Sequence, residues 1–175
     1  MSKTSSLSKE VKREVKRKNL LQKSFVPSDH GWSLLPDKDQ LPTRMREPFK
    51  LCFARVNLYL SEKQKGSTEG GDIFHVVDGA MLCSDLVRNE KRVLSASVLE
   101  YFLKNQESIP CSIPKYDNKG MVQYICFWGS LYETLELNRG IRCMYWDDID
   151  EEWKGVYRFL ANDFHSNYPA LCMFS

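Results

Sequence analysis

The chain has 175 residues, 42% of them hydrophobic and 12% aromatic, with a formal net charge of +2. A chain of this size buries about two thirds of its unfolded surface, so the composition describes one globular domain that folds without disulfide or metal staples. No stretch approaches the ~18 apolar residues of a bilayer-spanning helix, and the charged start lacks the apolar core of a secretory leader, so neither a membrane span nor a leader is expected.

Charge is unevenly placed. Residues 1–23 hold eight Lys or Arg and two Glu, a net +6; against +2 for the whole chain, residues 24–175 carry −4. The six cysteines (Cys52, Cys83, Cys111, Cys126, Cys143, Cys172) show no C-x-x-C spacing. Cys52, Cys126, Cys143 and Cys172 sit in apolar runs, where a free thiol packs as a small hydrophobe. An even count permits disulfides, but a domain of this size does not need them, and the expectation is a reduced, cytoplasmic setting.

In residues 1–25, Leu7, Val11 and Val15 recur every four residues and give only a thin apolar stripe. The segment reads as a basic, flexible or partly helical arm. It is either a solvated tail or an electrostatic contact for nucleic acid through residues 3–23, led by Lys12, Arg13, Lys16, Arg17 and Lys18. Residues 26–175 then form the single domain.

Residues 26–50 carry Pro27, Pro36, Pro42 and Pro48 and read as an irregular connector, with Trp32, Leu34 and Leu35 able to pin it to the core. Residues 49–60 switch apolar parity around Ala54, as a bulged strand or a short helix does. Residues 61–72 read as an exposed, flexible polar loop. Ile73–Val77 reads as a short strand and Asp78-Gly79 as a turn, with a second apolar piece from Ala80 to Val87. The one main helix is expected at residues 95–107: Ser97 and Glu100 have capping-box spacing, Val98, Leu99, Phe102 and Leu103 make an apolar face, and Pro110 stops it. Strands follow at 122–132 and 141–146. The fold class is α+β with a mostly antiparallel sheet.

From Gly140 to the end, eight residues are Phe, Tyr or Trp, interleaved with short polar side chains. Rigid aromatic area combined with adaptable hydrogen bonding suits a recognition surface better than a catalytic pocket. No G-x-S-x-G, P-loop or dinucleotide fingerprint occurs, so a binding role is expected rather than an enzyme, with no cofactor and no catalytic or metal residues. The acidic residues Asp147, Asp148, Asp150, Glu151 and Glu152 lack EF-hand spacing. His75, near Asp72, Asp78, Cys83 and Asp85, lacks the recurrent spacing of a zinc site. The expected contact surface spans residues 147–168, with Tyr157 and Tyr168 as aromatic anchors. Lys154, Val156, Arg158, Asn162, His165 and Asn167 complete it. The partner is an unknown protein or surface ligand.

Arg142, Tyr145-Trp146, Trp153, Tyr157, Leu160, Asn162-Asp163, Asn167 and Pro169-Ala170 occur in an order that resembles the ending of small Trp- and Asn-rich bacterial proteins. The upstream Phe127-Trp128-Gly129-Ser130-Leu131-Tyr132 is similar as well; Phe159 and Phe164 stand where that group usually carries Trp. The pattern resembles the variable proteins of diversity-generating retroelements and covers residues 126–175. The resemblance implies a C-type-lectin-like fold that displays a diversified face near its C-terminus. It implies Lys154, Val156, Arg158, His165, Ser166 and Tyr168 as display positions on a scaffold of Trp146, Trp153, Leu160 and Pro169.

Overall fold

A computed structural model describes residues 31–42, 56–66 and 77–173. The basic arm, the parity switch around Ala54, His30, His75 and Cys52 lie outside these residues. The strands are β1 (Trp32–Leu34), β2 (Val56–Tyr59), β3 (Val77–Asp78), β4 (Arg92–Val93), β5 (Ile125–Thr134), β6 (Arg139–Asp147), β7 (Glu152–Phe159), β8 (Asp163–Phe164) and β9 (Ala170–Met173). The helices are α1 (Glu62–Lys65), α2 (Gly79–Arg88) and α3 (Ala96–Lys104). This is an α+β domain. The main sheet runs β2-β9-β5-β6-β7, with β1 added to β5 and β4 to β9; β3 and β8 form a separate pair. All pairings are antiparallel except β5 with β9.

Directly opposed residues in adjacent strands point to the same face of a sheet. The register therefore sorts the core into two layers. Cys126, Cys143 and Val156 lie in line across β5, β6 and β7 on one face; Ile125, Met144 and Gly155 lie in line on the other. The first face belongs to a cluster with Trp128, Phe164, Tyr168 and, from α2, Leu82 and Leu86. The second belongs to a cluster with Phe127, Trp153 and, from α3, Val98, Leu99 and Phe102. Apolar packing on both faces explains why residues 125–132 of β5 are all buried.

The connector is pinned as its aromatic and aliphatic residues imply. Trp32 and Leu35 are buried. Gln40 completes the anchorage: its amide donates to the Leu35 and Leu131 carbonyls at 2.7 and 3.0 Å and accepts from Leu131 N–H at 2.6 Å. This holds β5 where its register shifts between Phe127 and Leu131. Gly129 lies in that irregularity, where a Cβ would stand 2.7 Å from the Leu94 backbone.

Three expectations are corrected. Asp78 does not open a hairpin turn. Its carboxylate accepts from Met81 N–H at 2.7 Å and caps α2, a second substantial helix. The same short acidic side chain serves turns and helix N-caps, and here Leu82 and Leu86, one helical turn apart, decide for the helix. Residues 61–66 are not an open loop. Ser61 and Gln64 form a capping box, and the Gln64 amide donates to the His165 and Tyr168 carbonyls at 3.1 Å each. Helix α3 starts at Ala96 without the Ser97–Glu100 box: Ser130 Oγ accepts from Ala96 N–H at 3.0 Å, and Glu100 reaches across to Arg142.

Candidate functional site

Residues 147–168 take in the whole of strands β7 and β8. A turn at 148–151 leads into the eight-residue strand β7 at the sheet edge. The Asp147 carboxylate closes that turn by accepting from Ile149 and Asp150 N–H at 2.9 and 3.2 Å. Lys154 returns over it, pairing with Asp147 at 2.9 Å and with Asp150. The hydrogen bond from Lys154, with those from the two backbone N–H groups, holds the Asp147 carboxyl below its usual range; Asp150 and Asp147 together raise the Lys154 ammonium above its own. An intramolecular ammonium thus answers the acidic turn. Among the described residues no cluster of three or more His, Cys, Asp or Glu is placed to hold a metal ion.

Alternation along β7 divides the expected contact residues. Lys154, Val156 and Arg158 share one face, opposite Tyr145, Cys143 and Ile141 of β6. Tyr157 projects from the other face. It stacks on Trp32 at 4.9 Å with an interplanar angle of 6°, and the Arg142 guanidinium lies 5.1 Å from its ring centroid. Tyr157 is therefore a pillar between connector and sheet, set apart from Lys154, Val156 and Arg158.

Tyr168 is on the same side as Arg158 but is buried, stacked on Tyr124 at 4.9 Å and set edge-on to Phe164. Burial pushes its hydroxyl above the ordinary range, with the nearby Arg158 charge pulling the other way. It supports the surface from beneath. Arg158 lies over Tyr168 at 4.0 Å and over Phe164 at 5.3 Å, and its guanidinium donates to the Asp163 carbonyl. Such stacking on aromatic faces suits a planar guanidinium.

Asn162 is exposed in the turn after β7. His165 is half-buried, and its carbonyl takes Gln64. Asn167 is tied inward, its amide donating to the Val122 carbonyl at 3.2 Å and its carbonyl accepting from Tyr124 N–H at 2.8 Å.

Two residues outside the expected set join the surface. Tyr145, opposite Lys154, and Tyr124, packed on Tyr145 at 5.2 Å, are both partly exposed. Tyr145 lies inside the apolar run 141–146, and only the β6–β7 register shows which way it points. The resulting patch of Tyr124, Tyr145, Val156 and Arg158, edged by Lys154, has an aromatic floor and cationic groups. Val156 is 37% exposed.

No family model, curated protein or solved structure matches the chain.

A separate cleft of about 840 Å³ lies between Tyr59, α1 and α2, lined by Lys63, Lys65, Asp85, Arg88 and Lys91 among others. Its charges are largely paired within the wall: Lys65 with Glu62 at 2.7 Å and Arg88 with Asp85 at 2.9 Å. No described helix is long and apolar enough to cross a membrane.

Proposed function

We propose that this is a non-catalytic binding domain that meets a protein or surface ligand with the exposed part of one β6–β7 face, where Tyr145, Lys154, Val156 and Arg158 border the buried layer of Cys143 and Ile141. The observation that carries the reading is the co-alignment of Tyr145, Lys154, Val156 and Arg158 on that face, all exposed or only partly buried. Aromatic and Arg side chains over a packed floor are the combination that concentrates binding energy in few residues. The ordered β6–β7 pair presents them from a rigid scaffold, which lowers the entropy lost on binding. Asn162 and His165, exposed and half-buried in the return to β9, are proposed to join the same contact.

On this reading the resemblance to retroelement variable proteins has a physical basis. A strand that alternates between packed pillars (buried Trp153, and Tyr157 stacked on Trp32) and residues of the other face (Lys154, Val156, Arg158) tolerates change in the second set without loss of the first. The C-type-lectin-like form of the α+β fold belongs to the same proposal. The test is to sequence this locus through a population of close relatives. Substitutions concentrated at Lys154, Val156, Arg158, Asn162 and His165, with Trp146, Trp153, Tyr157, Leu160 and Tyr168 fixed, support it. An even spread along the chain overturns it.

A further inference from the structure

We propose that Cys126 and Cys143 form a site of reversible disulfide formation, closed by exchange with a small-molecule disulfide of the glutathione class. The proposal is independent of the binding surface described above.

The two cysteines are direct cross-strand partners on β5 and β6, and their Sγ atoms lie 3.0 Å apart. The backbone hydrogen bonds define the type of pair. Cys126 N–H donates to the Pro169 carbonyl at 2.9 Å, so its backbone polar groups point toward β9 and away from β6. On the other side, Leu160 N–H donates to the Arg139 carbonyl at 2.9 Å, so the even-numbered residues of β7 are the ones bonded to β6. Val156 is even-numbered and stands opposite Cys143, so the Cys143 backbone points toward β7 and away from β5. From both sides, Cys126 and Cys143 are a non-hydrogen-bonded pair. In such pairs the Cα atoms stand about 4.5 Å apart and the side chains are closest, which falls inside the ~4.4–6.8 Å range that a disulfide spans. Bond formation therefore needs no shift of the strands.

The other described cysteines lack this arrangement. Cys172 stands opposite Asn57 and Val93, Cys83 is on α2, and Cys111 is exposed in the loop after α3. Both sulfurs of the pair are buried, and burial holds the Cys126 thiol well above its ordinary range. Burial therefore makes the folded pair slow to meet an oxidant, and Cys126 a slow nucleophile. Exchange proceeds during folding or when the edge strand β7, whose Val156 lies beside Cys143, opens.

The chemistry balances within the pair and its oxidant. One cysteine thiolate attacks the small disulfide, giving a protein mixed disulfide and releasing one small thiol. The second cysteine attacks the protein-side sulfur of that mixed disulfide and releases the second small thiol. The pair gives up two electrons to the small disulfide, and its two protons end on the two released thiols.

The experiment is to refold the full chain in glutathione buffers from fully reduced to mostly oxidised, quench with acid, alkylate under denaturing conditions and map peptides without reduction. The expected result is one linked peptide pair, Cys126 with Cys143, that grows with the oxidised fraction and disappears with dithiothreitol. The oxidised chain also melts at a higher temperature than the reduced chain. Full alkylation of both cysteines at the most oxidising ratio overturns the proposal. In Cys143→Ala the Cys126 link is expected to vanish; equally complete pairing of Cys126 with another cysteine in that variant also overturns it.

Discussion

Gly155 is the point at which Arg142 crosses the edge strand: a Cβ on Gly155 would stand 2.5 Å from Arg142 Nη2 and 2.9 Å from Leu103 Cδ1. The glycine is required by this close approach, since its place in β7 demands no special backbone conformation. Gly155→Ala forces the guanidinium away from Glu100 or pushes α3 outward. Overpacking of this kind costs about 1–3 kcal/mol. The expected outcome is a lower denaturation midpoint with an unchanged denaturant slope. Stability equal to that of the parent would show that Arg142 moves aside freely.

The Arg142–Glu100 pair itself gives a second prediction. Both side chains are largely buried, at 9% and 15% exposure, and the guanidinium also lies over Tyr157. Removing one partner of a buried pair leaves an uncompensated charge. Glu100→Gln keeps a hydrogen-bond acceptor in place, so the loss is expected at the lower end of that effect, about 3 kcal/mol. Adding Arg142→Met to that variant is expected to restore part of it. Denaturant titrations of both single variants and the double variant measure the coupling, and simple additivity would show that the pair does not act as a unit.

The strands at 125–134 and 139–147 were legible as continuous apolar runs, as strands buried on both faces are, and the helix at 96–104 by apolar residues about 3.6 apart. Helix α2 was hidden because Asp78-Gly79 is as good a turn as it is a helix start. Strand β7 was hidden because both of its faces are mixed: Trp153 and Tyr157 pack inward, while Val156 and Phe159 are exposed. The aromatic-polar texture of the C-terminal segment was readable, but its division between faces was not. Tyr157 and Tyr168 carry no local mark that distinguishes a pillar from a contact; Trp32, more than a hundred residues away, decides the first.

Asp85 and Tyr59 predict a pH profile. Tyr59 donates to Asp85 at 2.6 Å, with Arg88 and Asn89 donating to the same carboxylate at 2.9 and 3.0 Å. Burial alone would raise the Asp85 carboxyl, but the hydrogen bonds from Tyr59, Arg88 and Asn89 and the Arg88 charge outweigh it and hold the group below its ordinary range. A lowered folded-state value means stability that is present above about pH 4 and is lost as pH falls through the folded value. Burial and the Asp85 bond raise the Tyr59 hydroxyl well above its ordinary range. That contribution is present below about pH 10 and is lost as pH rises toward the folded value. Tyr59→Phe is expected to cost about 1 kcal/mol near neutrality, because Asp85 keeps two of its donors. Denaturation across pH should show the difference from the parent shrinking at both extremes; a constant difference would remove titration of the pair as its cause.

Gln106 guards the edge of β7, and its loss gives the last prediction. Its side-chain amide donates to the Trp153 carbonyl at 3.1 Å and accepts from Trp153 N–H at 2.9 Å, as a neighbouring strand would. The odd-numbered residues of β7 turn their backbone groups away from β6, so the edge begins at Trp153 and the Gln106 side chain occupies its first position. An open edge is a template for pairing with another chain. Gln106→Leu leaves the Trp153 N–H and carbonyl without these partners, at a cost of about 1–2 kcal/mol. It also lengthens the edge available to a second copy. The expected outcome is a modest fall in melting temperature together with concentration-dependent self-association in sedimentation velocity. A variant that melts lower but sediments as the parent does at every concentration would assign Gln106 a purely structural role, with β7 protected by its own twist or by the side chains that flank it.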